Sequence, residues 1–560
     1  MRATFAGFNT ALSALQANQK RLDITGQNLA NMNTVGYTRQ HLNTSSLNYS
    51  HGYANTMNGA SNIVGFGVSM NGVSQIRDPY LDVQYRLQMT KADYSHSLQT
   101  SLDSLADILD ETSISGVHQA FLDIQSALND MQDSSKINDP VFESQLRTRM
   151  QTLVSLLNKS ASQLAEAEKM EFDRLTGKGN SGQGAVENVN ELLRQIGELN
   201  TRIKQNQIAG QPSLELMDQR NVLLDQLSSY VPIEITYYKD DSHRGTYTYT
   251  YPQNHPNAGK TETRDRAYDY DANGTIIGKR EWPDDLKVDL LYKDANGASH
   301  KLTLIEGSEP GKNHGHLEAL KTDGKPADRN DPTSIAIKFT GIGQNNPPSV
   351  TAHAGDAQFS GGSIQAGLDM LGKAGSGNLI PNTNTPDDTR GYQFYRKKLD
   401  LLAQTFATEM NKLNNQGTGG GDLFTGSAAG IDALSISINK EWTNGTVHIA
   451  KGPGNENDTI LNMLNLMKKT DVPGMEGKTF ADYMNNFSTQ LASDSSANQS
   501  AVKNDVTVLN SIQSSRDSLS GISMDEEATN MMTYASAYNA ASRLMTTLDE
   551  LLNTLLGIGA

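Results

Sequence analysis

The sequence contains no cysteine, which removes disulfides, thiolate metal sites and a thiol nucleophile at one stroke. Basic side chains are also short: 47 Lys and Arg stand against 63 Asp and Glu, for a formal charge of -16. No cluster of them could neutralise a polyanion, so nucleic acid is not an expected partner. Long apolar runs are missing too. The longest are a few residues, far below the roughly 20 that cross a bilayer as a helix, and no membrane association is expected. The segment from Met1 to Gly26 has amphipathic spacing where a cleaved secretory signal would have a charged start and an apolar run, so a general-secretion route is not expected.

What the chain does have is regularity at its two ends. Its 560 residues, 36% hydrophobic and 20% charged, suggest a soluble polar protein of roughly three or four domains. Phe5, Phe8, Leu12, Leu15, Gln19, Leu22, Gly26 and Leu29 alternate three and four apart, the seam of a coiled-coil helix with two non-apolar positions. Met531, Tyr534, Tyr538, Ala541, Met545, Leu548, Leu552 and Leu555 repeat the alternation without a polar break. A helix with one such stripe cannot bury it alone, and the economical partner for each terminus is the other. Two ordinary bundle helices would give the same pattern. Their place at the extreme ends, where chains normally fray, favours a terminal coiled coil.

Between the ends the pattern is helical, then β-rich, then helical again. Asp78-Pro79 and Asp139-Pro140 each read as a helix start, with Asp as cap and Pro at the first position. The second helix is expected to run to about Leu175 and stop at Gly177. Further helices are expected over 190–207, 214–229, 363–371, 392–413, 479–492 and 501–518. From Val231 to about Ala354 the chain turns rich in Tyr, Thr, Gly and Pro with short alternating runs, and Asp-Ala-Asn-Gly occurs twice, at 271–274 and 294–297, as a hairpin-turn signal. The fold class is therefore mainly α with a β-rich inserted domain. The expected domains are 1–40 plus 520–560 as the terminal coiled coil, 41–230 plus 355–519 as a long-helix bundle, and 231–354 as an outer β insert.

Candidate chemistry is thin. Asp269 to Ile276 mimics the opening of a calcium loop, but Arg280 stands where the closing Glu should be, so a hairpin is the better reading. His314 and His316 have no third ligand at metal spacing. Gly372, Gly375 and Gly377 follow no strand and lack the Lys-Ser/Thr of a phosphate loop. Asp525, Glu526 and Glu527 fit a helix N-terminus, with Ser523 as cap and Glu526 closing a capping box. Asn28, Asn31, Asn33, Gly36 and Tyr37 read as a polar helix exit whose amides satisfy the last carbonyls. No catalytic, metal-binding or cofactor-binding residue is expected, and the chain does not read as an enzyme.

One resemblance runs through these segments. Leu22-Asp-Ile-Thr-Gly-Gln-Asn-Leu-Ala-Asn-Met-Asn-Thr-Val-Gly-Tyr-Thr-Arg-Gln40 resembles the N-terminal signature of flagellar rod, hook and hook-associated proteins, and its Thr38-Arg39-Gln40 ending is similar to the hook-associated branch. Leu216 to Leu227, Ser360-Gly-Gly-Ser-Ile364, Ser520 to Ala528 and Leu548 to Ile558 resemble further segments of that branch. Tyr534-Ala-Ser-Ala-Tyr538 departs from it, since the family more often shows a Gln in this turn. The resemblance implies an extracellular structural subunit joining flagellar hook to filament, exported unfolded through the flagellar type III apparatus. It implies as partners further copies of the chain, the hook protein, a second junction protein and an export chaperone on the C-terminal helix. It also implies an inner layer of terminal helices, a second helical layer and an outward β insert. Assembly would then rest on Phe8, Leu12, Leu15, Leu22, Leu29, Asn31, Gly36 and Tyr37 at one end, and on Met531, Tyr534, Tyr538, Met545, Leu548, Leu552 and Leu555 at the other. The alternatives are another axial subunit (hook, rod or second junction protein) or a secreted adhesin or enzyme with its activity in the insert.

Overall fold

A computed structural model describes residues 2–47, 67–109, 115–133, 136–137, 139–177, 183–209, 211–239, 246–253, 255–265, 268–270, 274–279, 284–294, 296–343, 346–356, 358–372 and 390–558. The chain opens with α1 (Arg2–Ala30), then a hairpin of β1 (Gln40–Ser46) and β2 (Val68–Gln75). This hairpin was not foreseen, because its strands are polar and lack alternation. It is held instead from α1: Arg21 donates to Thr44, Asn28 bonds Gln40, and Ser13 accepts from the Val68 amide.

The bundle begins with α2 (Pro79–Leu109), α3 (Ser115–Asp130), α4 (Pro140–Thr176), α5 (Ala185–Ile208) and α6 (Leu214–Tyr230). The Asp-Pro starts act as expected. Asp78 accepts from the Tyr80 amide at 2.9 Å and Asp139 from Val141 at 2.9 Å. Gly177, at φ 70°, ends α4 in the left-handed region that an L side chain resists. After the insert come α7 (Ser363–Gly372) and α8 (Tyr392–Asn415), the short strands β13 (Phe424–Thr425) and β14 (Ser437–Ile438), then α9 (Lys440–Thr443) and α10 (Asp458–Lys468). Two long helices, α11 (Phe480–Ser520) and α12 (Met524–Ile558), close the chain. The sequence reading broke α11 after Ala492. No Gly or Pro interrupts Ser493 to Ser500, and bonds to α2 from Ser495 and Asn498 carry the helix through.

The bundle core is largely apolar. Leu105, Leu109, Phe121, Ile124, Leu128, Met150, Leu153 and Leu157 are fully buried, and Phe121 meets Phe406 edge-on at 5.2 Å and stacks on Phe480 at 5.8 Å.

The insert holds ten strands among the described residues: β3 (Ile233–Lys239), β4 (Thr246–Thr250), β5 (Thr261–Asp265), β6 (Tyr268–Tyr270), β7 (Ile276–Lys279), β8 (Asp284–Lys293), β9 (Ser299–Glu306), β10 (His316–Lys321), β11 (Ile335–Thr340) and β12 (Ser349–His353). They form antiparallel sheets of order β3-β8-β9 and β10-β11-β12, with hairpins β4-β5 and β6-β7. Asp294 caps the β8–β9 turn by accepting from the Asn296 and Ala298 amides, with Gly297 at φ 81°. In the first Asp-Ala-Asn-Gly only Gly274 lies within the described residues, at φ 86° between β6 and β7. The two larger sheets of the insert lie against α5. Asn190 bonds Leu317 at both amide and carbonyl, and Asn313 donates to Gly197 at 2.7 Å. The hairpins are built differently, with the Arg264 guanidinium over the rings of Tyr249 at 3.8 Å and Tyr270 at 5.0 Å.

Candidate assembly site

The two termini find each other. Gly7 lies against Leu548, Arg21 sits over the Tyr534 ring at 5.6 Å, and Asn28 donates to Glu527 at 3.3 Å. Each pair of residue numbers adds to the same total, the mark of two antiparallel helices in one unslipped register.

The pair is only half covered. On α12, Ala541 is buried, and Met531, Tyr534, Tyr538, Met545, Leu548 and Leu552 are half-buried. The Leu555 side chain lies outside the described residues. On α1, Phe8, Leu15, Leu22 and Leu29 are half-buried, while Leu12 and Gln19 face solvent. The deepest positions of α1 fall beside the expected seam, at Ala11, Ala17, Asn18, Ile24, Thr25 and Asn28. That shift follows from two neighbours: α12 covers one flank of α1 and the β1-β2 hairpin the other, so the ridge between them sinks. Leu12 and the α12 residues Leu544 and Leu551 remain between 45% and 53% exposed.

At the inner end of the pair the chain ties a polar clasp around Asn28, which is 1% exposed. Its amide donates to the Gln40 carbonyl and Glu527, and its oxygen accepts from the Gln40 amide and the Tyr37 hydroxyl, at 3.0 to 3.3 Å. Burial, with Glu215, Asp218 and Glu527 nearby, pushes the Tyr37 hydroxyl up to about 12, which keeps it a donor. Asn31 stays local, donating to the Gln27 carbonyl as a helix-exit amide should. Gly36, at φ 79°, has a stricter reason for its identity: a Cβ there would lie 2.2 Å from a Val222 methyl on α6.

Thr38 donates from both its amide and its hydroxyl to Asp218 of α6, at 3.0 and 2.7 Å. Arg77 stands 3.7 Å away. Burial dominates this carboxylate and raises it to about 6 against those bonds. Arg39 completes the clasp on Glu526 at 2.9 Å and Glu527 at 2.8 Å. The capping box expected of Glu526 is thereby corrected, because its carboxylate is engaged by a guanidinium from the other end of the chain. Beside it, Arg516 of α11 bridges Asp82 and Asp225. These groups line a cleft of about 510 Å³ between terminal pair and bundle. Thr38, Arg39, Asp218 and Glu527 were missed as functional residues. Asp218 and Glu527 lie inside quoted motifs, but nothing in the local pattern says that they meet.

The site offers a half-covered apolar face and a polar clasp. No group of three or more His, Asp or Glu is placed to hold a metal among the described residues, and no described helix is long and apolar enough to cross a membrane.

Comparison with known proteins gives the same direction. Residues 102–251 match a family model described as the flagellar hook-associated protein FlgK helical domain, residues 8–38 one for flagella basal body rod protein, and residues 513–558 one for the flagellar basal body rod FlgEFG protein C-terminal region. The chain is 27% identical to flagellar hook-associated protein 1 of Bacillus subtilis, across 100% of this chain and 99% of that protein. It is also 27% identical to the protein of that name in Escherichia coli, across 41% of this chain and 39% of that one. Among solved structures, the flagellar hook junction protein FlgK from Burkholderia pseudomallei aligns with a TM-score of 0.38 at 18% identity, covering 62% of this chain and 47% of that one.

Proposed function

We infer that this chain, which belongs to the FlgK family of flagellar hook-associated proteins, is a structural junction subunit between the flagellar hook and filament. The observation that carries this reading is the terminal helix pair, which is correctly registered yet leaves Leu12, Leu544 and Leu551 in solvent. Apolar surface left this way gains about 25 cal/mol per Å² when a neighbour covers it, so the pair is completed by assembly. The rod-type matches at both ends support an axial subunit, and the helical-domain match between them supports the hook-associated branch. Such a subunit is structural in kind.

Three layers follow. The α1/α12 pair, with its hairpin, makes the inner one, the helical bundle the second, and the insert the outer one. The partners are sister copies, hook protein on one side and a second junction protein on the other, with an export chaperone holding the α12 stripe before assembly. Export without a cleaved signal through the flagellar type III apparatus is part of the same proposal.

The test is complementation of a strain lacking the native chain with one missing Met531 to Ala560. Hooks without filaments and flagellin shed into the medium are expected, with the truncated chain itself detected outside the cell so that export and joining are separated. Normal filaments on hooks carrying the truncated chain would overturn the reading.

A further inference from the structure

The longest helix of the protein is two different objects end to end. In α11 the buried residues are Phe480, Tyr483, Met484, Phe487, Gln490 and Leu491, and none beyond Leu491. Just past Leu491, Asp494 still accepts from Arg390 at 2.6 Å and from the Tyr395 hydroxyl at 3.0 Å. From Ser495 to Ser520 the helix lies antiparallel along α2, where Val502, Leu509 and Ile512 are only half-buried and the hydrogen bonds run through amides, hydroxyls and the Asp505 carboxylate. Gln88 donates to Asp505, Asn498 to the Ser95 carbonyl, and Gln99 to Ser495. This outer half is rich in Ser, Asn, Asp and Thr, which are poor helix formers. It cannot stand as an isolated helix, and its docking replaces water by equivalent polar partners at small net gain.

One residue near its far end is different in kind. The Arg516 side chain is 14% exposed, contacts Asp82 at 3.1 Å and Asp225 at 2.9 Å, and lies over the Tyr85 ring at 4.3 Å. A cation held by two carboxylates and an aromatic face is costly to leave half-paired.

We propose that the outer half of α11 is a releasable strap, anchored at Phe480–Asp494, and that Arg516 is its lock. When the lock opens, the strap leaves α2 while the bundle stays folded. The α1/α12 pair, then held on the bundle by the β1-β2 hairpin and the Thr38–Asp218 bonds without the strap, is freer to change its angle against the bundle. If the junction reading holds, this lets one subunit seat its terminal helices on differently shaped neighbours, but the strap itself is a property of the free chain.

Amide hydrogen exchange on the intact free chain tests it. Amides of 499–515 should exchange at least ~100-fold faster than those of 482–491, the mark of a local opening below the global one. Arg516→Ala should speed the outer half by a further ~10-fold and leave 482–491 and α4 unchanged, with Arg516→Lys, which keeps the charge but not the forked geometry, falling between. An outer half as slow as the inner half, or one indifferent to Arg516→Ala, would overturn the strap. So would an Arg516→Ala chain in which α4 speeds up equally, since Arg516 would then hold the whole bundle. None of these outcomes bears on whether the chain joins hooks.

Discussion

Helices α4 and α12 are nearly equal in length, 37 and 35 residues, and opposite in use. α4 carries Leu146, Met150, Leu153, Leu157 and Leu164 at heptad-like spacing, and each is fully buried inside the chain. α12 carries an equally regular stripe, yet Glu527 and Ala541 are its only buried residues among those described. The same pattern therefore serves two ends. In α4 it is consumed by folding, and in α12 it stays partly exposed. Residues that hold the fold and residues that make the assembly can be separated by substitution, which turns the comparison into a set of measurements.

The largest effect should come from the bundle. Leu157→Ala should cost about 2 to 5 kcal/mol in a denaturant titration, while Leu551→Ala, at a position 53% exposed, should stay within about 0.5 kcal/mol in the same assay and still impair joining to hooks. Equal costs would erase the distinction between the two helices. Asn28→Ala comes next, at about 1 to 3 kcal/mol for the partners it strands. Its loss should be confined to faster exchange in α1 and α12, and a matching change in α4 would place Asn28 in the global core.

Gly36→Ala should cost roughly 1 to 2 kcal/mol. Adding Val222→Ala should recover the steric part and leave the part due to positive φ; full recovery would mean that the backbone conformation is not strained. The smallest effect is a pH dependence at Asp218. Its carboxylate is raised to about 6 in the folded chain against about 3.9 when unfolded. The folded state thus holds a proton that the unfolded state releases, and the stability this confers is present below about pH 4 and lost as pH rises through 6. Melting temperatures of the native chain should fall relative to Asp218→Asn across that window. A flat difference would show that the Thr38 and Arg77 contacts cancel the burial.

How much of this was legible in the sequence depends on the range of the interaction. Local signals served well: the Asp-Pro starts, Gly177, the β character of 231–354 and the spacing along α12 are each set within a few residues. The α3 helix, with Val117, Phe121, Ile124 and Leu128 buried, carried the same spacing and went unread, as did the short α10. The β1-β2 hairpin was invisible because its strands are specified by α1 side chains. The clasp was invisible for a stronger reason. Asn28 meets Glu527 across 499 residues and Thr38 meets Asp218 across 180, and a buried polar contact leaves no period behind. On α1 the deepest positions fall between the expected seam residues, because a stripe read from sequence assumes one neighbour and α1 has two.

The claim on which the rest depends is that the open face of α1/α12 is covered by sister copies. Because the chain has no cysteine, Leu551→Cys supplies a single reporter at a position 53% exposed in the free subunit. Maleimide should label it rapidly in the free chain and at least ~10-fold more slowly once the chain is seated on hooks, as expected for burial in a subunit contact. Labelling at the same rate in both states would contradict the account.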